Sequence, residues 1–236
     1  MREQYIEYRD GEILLEGFLC YDEAHPGPRP TVLICHAFGG RDDFVERKAR
    51  RLAWQGYACF ALDNYGKGKR GTTPAESSAL MAPFMKDRKM LLTRLQAGLA
   101  TAKSMPIIDS RRIAVMGFCF GGLCALDLAR SNADIRGAVS FHGLLKSSGL
   151  TEPKVRAKVL MIHGFDDPLG PPADVLAIAK EFTDAGADWQ LHVYGHTVHA
   201  FTNPVAQNRG GGMQYDEAAD RRSWHALEEF LAEVLR

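Results

Sequence analysis

The segment Gly117–Gly122, with the sequence GFCFGG, constrains this chain more than any other. It follows the short apolar run Ile113–Met116 and precedes Leu123–Ala129, which has the pattern of an amphipathic helix. A strand, a tight glycine-flanked turn and a helix form the setting of a nucleophile elbow, whose central residue here is Cys119. Such a turn exposes the thiol at the carboxyl edge of a sheet, and the helix N-terminus beneath it favours a thiolate. A buried structural cysteine between packing glycines is the alternative that the spacing alone leaves open.

The residues downstream favour the nucleophile. In this arrangement an acid and then a histidine follow the elbow along the chain. The apolar run Lys158–His163 ends in an acidic turn that contains Asp166 and Asp167, and the run Trp189–Tyr194 is followed by a loop with His199. We expect Asp167 to be the acid and His199 the base, with Asp166 as the alternative acid. Three placements in the right order, each just past a predicted strand, are more specific than the elbow alone.

The composition excludes several classes of protein. The 236 residues include 29 Lys and Arg against 29 Asp and Glu, so the net charge is zero and neither nucleic acid nor an anionic membrane is an expected partner. No run approaches eighteen apolar residues, and the first four residues do not open a signal peptide. The five cysteines are odd in number and lie mostly in apolar runs, so we expect free thiols and a reducing, cytoplasmic location.

Strands and helices alternate along the chain, which predicts one α/β domain over residues 1–236, with a mostly parallel twisted sheet and helices on both faces. The first two strands are expected to form an antiparallel hairpin. The predicted strands are Tyr5–Tyr8, Ile13–Tyr21, Thr31–His36, Tyr57–Leu62, Ile113–Met116, Ile135–Phe141, Lys158–His163 and Trp189–Tyr194. The predicted helices are Phe44–Gln55, Met85–Ser104, Leu123–Ala129, Pro172–Ala185 and Asp216–Leu235.

Several of these segments closely resemble the dienelactone hydrolase family of α/β-hydrolases. The elbow Gly117–Gly122, the turn at Asp167 and the loop His199–Phe201 carry the resemblance, and the segments His36–Gly40 and Gln55–Ala58 support it. The resemblance covers most of the chain. It implies an α/β-hydrolase fold and hydrolysis of a small ester, thioester or lactone, with no metal and no organic cofactor.

The resemblance also implies a role for each site residue. Cys119 corresponds to the nucleophile that forms a thioester with the acyl group. His199 corresponds to the general base and then acid, and Asp167 to the carboxylate that orients it. The backbone N–H groups of Phe120 and Ala37 correspond to the oxyanion donors.

Two positions depart from the family pattern. His36 stands where the founding enzymes have a glutamate that helps to activate the thiol, and Asn203 stands where an arginine binds the substrate carboxylate. We therefore expect a neutral or differently charged substrate, not a dienelactone, at a site lined by His36, Phe38, Phe201 and Asn203. Three arginines in flanking loops are candidates for the missing cation: Arg70, Arg88 and Arg209.

Other classes of function have weaker support. Gly66, Gly68 and Gly71 match a dinucleotide-binding fingerprint with Asp87 downstream, which indicates an NAD(P)-dependent oxidoreductase. The match is weak because Pro74 and its neighbouring threonines delay any helix, and because Asp87 falls in a helical stretch where a strand end is needed. A basic, glycine-rich surface loop is the favoured interpretation.

His192, His196 and His199 could also be taken as a metal cluster. Strand alternation leaves the faces of the first two uncertain, and no carboxylate or cysteine accompanies them, so we expect no metal. A non-catalytic α/β-hydrolase relative that binds a small molecule is a further alternative, and the intact set of Cys119, Asp167 and His199 argues against it. The expected partner is a small-molecule ester or lactone.

Overall fold

Eight strands form one sheet in the computed structural model, which describes residues 1–236. The strands are β1 (Arg2–Asp10), β2 (Ile13–Tyr21), β3 (Arg29–Cys35), β4 (Ala58–Ala61), β5 (Ile108–Phe118), β6 (Gly137–Phe141), β7 (Lys158–Gly164) and β8 (Trp189–Tyr194). Their order across the sheet is β1-β2-β4-β3-β5-β6-β7-β8. The pairs β1–β2 and β2–β4 are antiparallel, and all the others are parallel. The mostly parallel α/β sheet and the opening hairpin that the sequence predicts are confirmed.

Helices cover both faces of this sheet. They are α1 (Asp43–Ala53), α2 (Pro74–Lys86), α3 (Arg88–Ser104), α4 (Phe120–Arg130), α5 (Pro172–Asp184) and α6 (Glu217–Val234). One apolar core contains residues of α2 to α5, and a second contains residues of α1 and α6. Within β3, Leu33 belongs to the first core while Val32 and Ile34 belong to the second, as the alternation of a strand requires. Burial on both faces explains why these strands are continuous apolar runs. None of the six helices combines the length and apolar character needed to cross a membrane.

The predicted helix Met85–Ser104 is confirmed over Arg88–Ser104 and wrong at its start, because Asp87 separates two helices there. Asp87 ends α2, and its carboxylate accepts hydrogen bonds from the first N–H groups of α3. Helix α2 is not among the predicted helices, although its start has a typical cap. Thr73 caps the helix by accepting from the N–H of Glu76 at 3.2 Å, and Pro74 occupies the first helical position. The proline therefore starts a helix instead of delaying one.

The glycine-rich loop after β4 does not have the setting of a dinucleotide site. The carboxylate of Asp63 holds the start of this loop by accepting from the N–H groups of Tyr65 and Gly66, each at 2.9 Å. The acidic residue of the fingerprint, Asp87, caps a helix, whereas a dinucleotide site needs it at the end of a strand. This geometry contradicts the oxidoreductase alternative and agrees with a surface loop.

Candidate active site

Cys119 occupies a sharp turn between β5 and α4. Its backbone has φ 56° and ψ −116°, a combination that non-glycine residues rarely adopt and that occurs at strained functional turns. The flanking glycines are required by space. A Cβ atom on Gly117 would lie 2.1 Å from the carbonyl oxygen of Gly121, and one on Gly121 would lie 2.1 Å from that of Cys35. Strand, turn and helix thus have the arrangement that the sequence predicts.

The Cys119 thiol differs from the other cysteines in its surroundings. Its exposed fraction is 9%, while Cys20, Cys35, Cys59 and Cys124 have no exposed surface. Cys119 is also the N-cap residue of α4, where the free N–H groups and the helix dipole favour negative charge. The turn therefore places one partly accessible thiol at the N-terminus of a helix.

Asp167 and His199 form a buried, hydrogen-bonded pair. The Nδ1–H of His199 donates to Oδ2 of Asp167 at 2.7 Å, and the two residues are 2% and 1% exposed. The other oxygen of Asp167 accepts from the N–H of Leu169 at 2.8 Å, which fixes the carboxylate. Asp166 points elsewhere, because its carboxylate is half-exposed and lies 4.0 Å from the ring of His196. The structure therefore brings Asp167, and not the alternative Asp166, to His199.

A small hairpin that the sequence analysis missed holds His199 in place. Two short strands, β9 (Gln207–Asn208) and β10 (Met213–Gln214), follow the histidine loop. The N–H of His199 donates to the carbonyl of Gly212 at 2.9 Å, and its own carbonyl accepts from the N–H of Gln214 at 3.1 Å. These two bonds fix the backbone of His199 against the hairpin.

The electrostatics of His199 favour an imidazolium. Burial opposes a charge on the ring, but the negative charge of the Cys119 sulfur and the hydrogen bond to Asp167 outweigh it and raise the pKa of His199 to about 10. The Nε2 atom of His199 has no hydrogen-bond partner among oxygen and nitrogen atoms of the protein. With Nδ1 held by Asp167, Nε2 is the atom that remains to exchange a proton with a reacting group.

The loop after β3 packs directly against the elbow. A Cβ atom on Gly121 would lie 2.7 Å from the carbonyl oxygen of His36, so the peptide that carries the N–H of Ala37 touches the first turn of α4. The N–H of Ala37 donates to no other protein group. Phe120 is the first residue of α4, so its N–H has no acceptor within that helix. Two free N–H donors thus lie on the two segments that meet beside Cys119.

Comparison with known proteins agrees with this geometry. The sequence profile of the dienelactone hydrolase family matches residues 15–235. A dienelactone hydrolase-like promiscuous phosphotriesterase from metagenomic libraries is 34% identical, with a TM-score of 0.94 over 100% of this chain and 99% of that one. The chain belongs to the dienelactone hydrolase family. It is an α/β-hydrolase-fold enzyme of the carboxylic ester hydrolase class.

Other proteins are similar to this chain over different shares of its length. A protein of Aquifex aeolicus with the name putative carboxymethylenebutenolidase is 23% identical over 99% of this chain and 99% of its own length. An uncharacterized protein of Caenorhabditis elegans is 36% identical over 61% of this chain and 94% of its own length. A crystal structure of a Klebsiella pneumoniae protein, named a putative dienelactone hydrolase, shares the fold, with a TM-score of 0.81 at 21% identity, over 98% of this chain and 99% of that chain.

Two residues of this chain that were expected to line its substrate site are buried. His36 and Phe201 have no exposed surface, so the prediction that their side chains contact substrate is wrong. Phe201 packs against the rings of His142 and Tyr194, with centroids 5.1 and 5.9 Å away. It therefore supports the histidine loop from the core. Most residues of this loop are buried, which the sequence does not reveal.

Phe38 and Asn203, the other two predicted lining residues, are half-buried. Asn203 takes part in a turn, where its amide oxygen accepts from the N–H of Val205 at 3.3 Å and its own N–H donates to the carbonyl of Ala200 at 2.9 Å. Both side chains retain exposed surface, so a contact with substrate remains a prediction.

Among the three candidate arginines, Arg88 is already engaged. Its guanidinium is 9% exposed and forms two hydrogen bonds of 2.7 Å with the carboxylate of Asp127, so it is not free to bind a substrate carboxylate. Arg70 and Arg209 are exposed, and Arg209 donates to the carbonyl of His196 at 3.1 Å. Of the three candidates, the two exposed arginines are therefore the ones that are available to an anionic substrate group.

The three histidines that resemble a metal motif do not come together. His196 is almost fully exposed, and Nδ1 of His199 is bonded to Asp167. No group of three or more His, Cys, Asp or Glu side chains in the structure has the arrangement to hold a metal ion.

Two further histidines surround the pair of Asp167 and His199. The ring of His142 lies edge-on to that of His199, with centroids 5.0 Å apart, and its Nε2 is 2.9 Å from Oγ1 of Thr202. The Nε2–H of His163 donates to the carbonyl of Gly170 at 2.7 Å. Burial lowers the pKa of His142 and of His163, so both rings are neutral beside the imidazolium. No sequence pattern distinguished them from other strand-end histidines.

Proposed function

We propose that this enzyme hydrolyses small, neutral carboxylic esters, thioesters or lactones through a covalent thioester at Cys119. The observation that carries the proposal is the 2.7 Å bond between Asp167 and His199 on loops that meet beside the elbow. Nucleophile, base and orienting carboxylate then act as a triad in the order that α/β-hydrolases use.

In the acylation step, the Cys119 thiolate attacks the carbonyl carbon of the substrate. A carbon–sulfur bond forms, and the carbonyl electron pair moves to oxygen, where the N–H groups of Phe120 and Ala37 donate to the oxyanion. One donor of this kind is worth about 3 to 4 kcal/mol in the transition state. When the tetrahedral intermediate collapses, the carbon–oxygen bond to the alcohol breaks, and the leaving alkoxide takes the proton from Nε2 of His199.

In the deacylation step, His199 changes from acid to base. The acyl-enzyme has no charge on the Cys119 sulfur, so one of the causes that raise the pKa of His199 is absent. The neutral ring then removes a proton from water, which attacks the thioester carbonyl. The carbon–sulfur bond breaks, the acid product leaves, and the thiolate and imidazolium are restored. Asp167 keeps the proton on Nδ1 throughout, so that Nε2 faces the reaction.

The polar groups around the site favour an uncharged substrate. Arg88 is committed to Asp127, and Asn203 offers an amide where a guanidinium would be needed to pair with a carboxylate. A neutral amide cannot compensate for desolvation of a carboxylate as a bidentate arginine does. The small exposed fraction of Cys119 also favours short substrates.

A panel of short aryl esters, thioesters and lactones, assayed with wild type and Cys119→Ala, tests the proposal. We expect turnover of neutral panel members by wild type and none by the variant. A phosphotriester belongs in the panel because the metagenomic relative is named for that activity. Turnover that survives Cys119→Ala would exclude the thioester mechanism. A folded wild type that turns over no panel member would favour a binding protein.

A further inference from the structure

Both ring nitrogens of His36 form hydrogen bonds, one to the neighbouring residue Ala37 and one to Asn64 in the loop after β4. The ring of His36 lies at the end of β3, has no exposed surface, and packs against the rings of Tyr65 and Phe120 at centroid distances of 4.7 and 6.3 Å. Its Nε2 accepts from the N–H of Asn64 at 3.2 Å. Its Nδ1 lies 2.6 Å from the carbonyl oxygen of Ala37. Because Nε2 accepts, the proton is on Nδ1, which donates to Ala37.

Two further hydrogen bonds join the same pair of loops, the one after β3 and the one after β4. The hydroxyl of Tyr65 donates to the carbonyl of Phe38 at 2.9 Å. The N–H of Gly71 donates to the carbonyl of Gly39 at 3.0 Å. Together with the ring of His36, they hold the segment 36–39 at residues 36, 38 and 39. The segment that carries the N–H of Ala37 is therefore held rigidly from one side, while Gly121 of the elbow touches it from the other.

We propose that His36 is a positioning residue that aligns the N–H of Ala37 with the oxyanion formed at Cys119. This inference rests on the proposed function, and it gives His36 a role without contact to substrate. A preorganised donor contributes to catalysis only when it is aimed at the place where charge develops, so a small rotation of this peptide removes most of its effect. Only a neutral imidazole with its proton on Nδ1 both accepts from Asn64 and donates to Ala37.

Two substitutions separate the two hydrogen bonds of the ring. His36→Asn places an amide N–H near the position of Nδ1 and keeps the donation to Ala37. His36→Gln places an amide oxygen near the position of Nε2 and keeps the acceptance from Asn64. Tyr65→Phe removes one of the supporting bonds and leaves the ring of His36 unchanged. Thermal unfolding identifies the variants that remain folded.

The decisive experiment measures two reactions of Cys119 in each variant. Hydrolysis of a neutral aryl ester passes through an oxyanion, whereas alkylation by iodoacetamide needs only the thiolate. We expect His36→Gln to lower kcat about 10- to 100-fold with little change in KM, because the donor acts in the transition state. His36→Asn, which lacks the bond to Asn64, should also lower kcat, and Tyr65→Phe should lose several-fold. Alkylation of Cys119 should change less than about threefold in all three.

Two results would overturn the inference about His36. One is an unchanged kcat in His36→Gln, and the other is a parallel loss of hydrolysis and alkylation, which would place the effect on the thiolate itself. The Cys119→Ala variant tests the proposed function separately. If Cys119→Ala still hydrolyses the ester, the triad proposal is wrong. If Cys119→Ala is inactive while His36→Gln is fully active, only the inference about His36 is wrong.

Discussion

Oδ2 of Asp167 lies 2.7 Å from Nδ1 of His199, and both side chains are almost completely buried. The pair joins the loop after β7 to the loop after β8. Because the second oxygen of Asp167 is held by the N–H of Leu169, the carboxylate has one orientation and so does the imidazole. This relationship fixes which ring nitrogen of His199 faces the thiol.

Asp167→Asn should therefore impair turnover while the fold is retained. The amide can hydrogen-bond to the ring only in a way that favours the wrong tautomer, and we expect kcat to fall between about 10²- and 10⁴-fold. The matched control is Asp166→Asn, whose carboxylate is half-exposed and lies near His196, and it should change kcat less than about threefold. Steady-state kinetics and thermal unfolding of both variants provide the check. Equal losses in the two variants would contradict the assignment of Asp167.

The pKa of His199 should depend on the charge of Cys119. In wild type the ring should titrate near the pKa of about 10 that its surroundings produce, and in Cys119→Ala the pKa should fall. NMR signals of the imidazole, followed against pH in both proteins, give this comparison. A raised pKa means that the contribution of His199 to folding stability is complete below its ordinary value of 6.5 and is lost as the pH rises through about 10. Identical titrations in the two proteins would show that no thiolate lies beside the ring.

Acid should destabilise the fold through its buried neutral histidines. Burial lowers the pKa of His36, His142 and His163 below the ordinary value of 6.5, so the unfolded chain takes up protons first as the pH falls. The free energy of unfolding should thus decrease below pH 6.5, by up to about 1.4 kcal/mol per pH unit for each histidine.

Urea unfolding at several pH values measures this slope. His163→Gln keeps a donor for the carbonyl of Gly170. It should reduce the change in free energy of unfolding per pH unit by the contribution of one titrating histidine. The control His196→Gln alters an almost fully exposed ring and should leave the slope unchanged. Equal slopes in wild type and His163→Gln would show that His163 does not titrate with unfolding.

Neutral substrates should be preferred over acidic ones. Two aryl esters of equal length, one ending in a carboxylate and one in a methyl group, isolate the effect of charge. Without an ion pair we expect a difference of about 1 to 3 kcal/mol, or roughly 5- to 150-fold in kcat/KM, in favour of the neutral ester. A preference for the acidic ester would contradict this, and Arg70→Gln and Arg209→Gln would then identify the cation responsible.

The sequence was sufficient to predict most strands and helices along the chain and a mostly parallel sheet, and it supplied the candidate residues of the proposed triad. Parallel strands end at the same edge of a sheet, so residues just past the strands at Cys119, Asp167 and His199 are brought together by topology alone. The choice between Asp166 and Asp167 also followed from the family resemblance. These predictions depend on element order, which hydrophobic periodicity reveals.

Side-chain direction within loops could not be predicted in the same way. His36 and Phe201 lie next to the proposed oxyanion donor and the proposed base, yet both point into the core. Their direction depends on contacts with segments distant in sequence, such as Asn64 for His36 and Tyr194 for Phe201. Helix α2 is a different case, because its cap at Thr73 and the proline that follows are local signals present in the sequence.

The most direct test of the central claim is to trap the acyl-enzyme. Wild type is mixed with a short aryl ester and quenched in acid within the first turnovers, and the intact mass and peptide map are recorded. We predict one added acyl group, located on the peptide that carries Cys119 and absent from Cys119→Ala. An acyl group on another residue, or rapid hydrolysis with no trapped adduct and with activity retained in Cys119→Ala, would contradict the account.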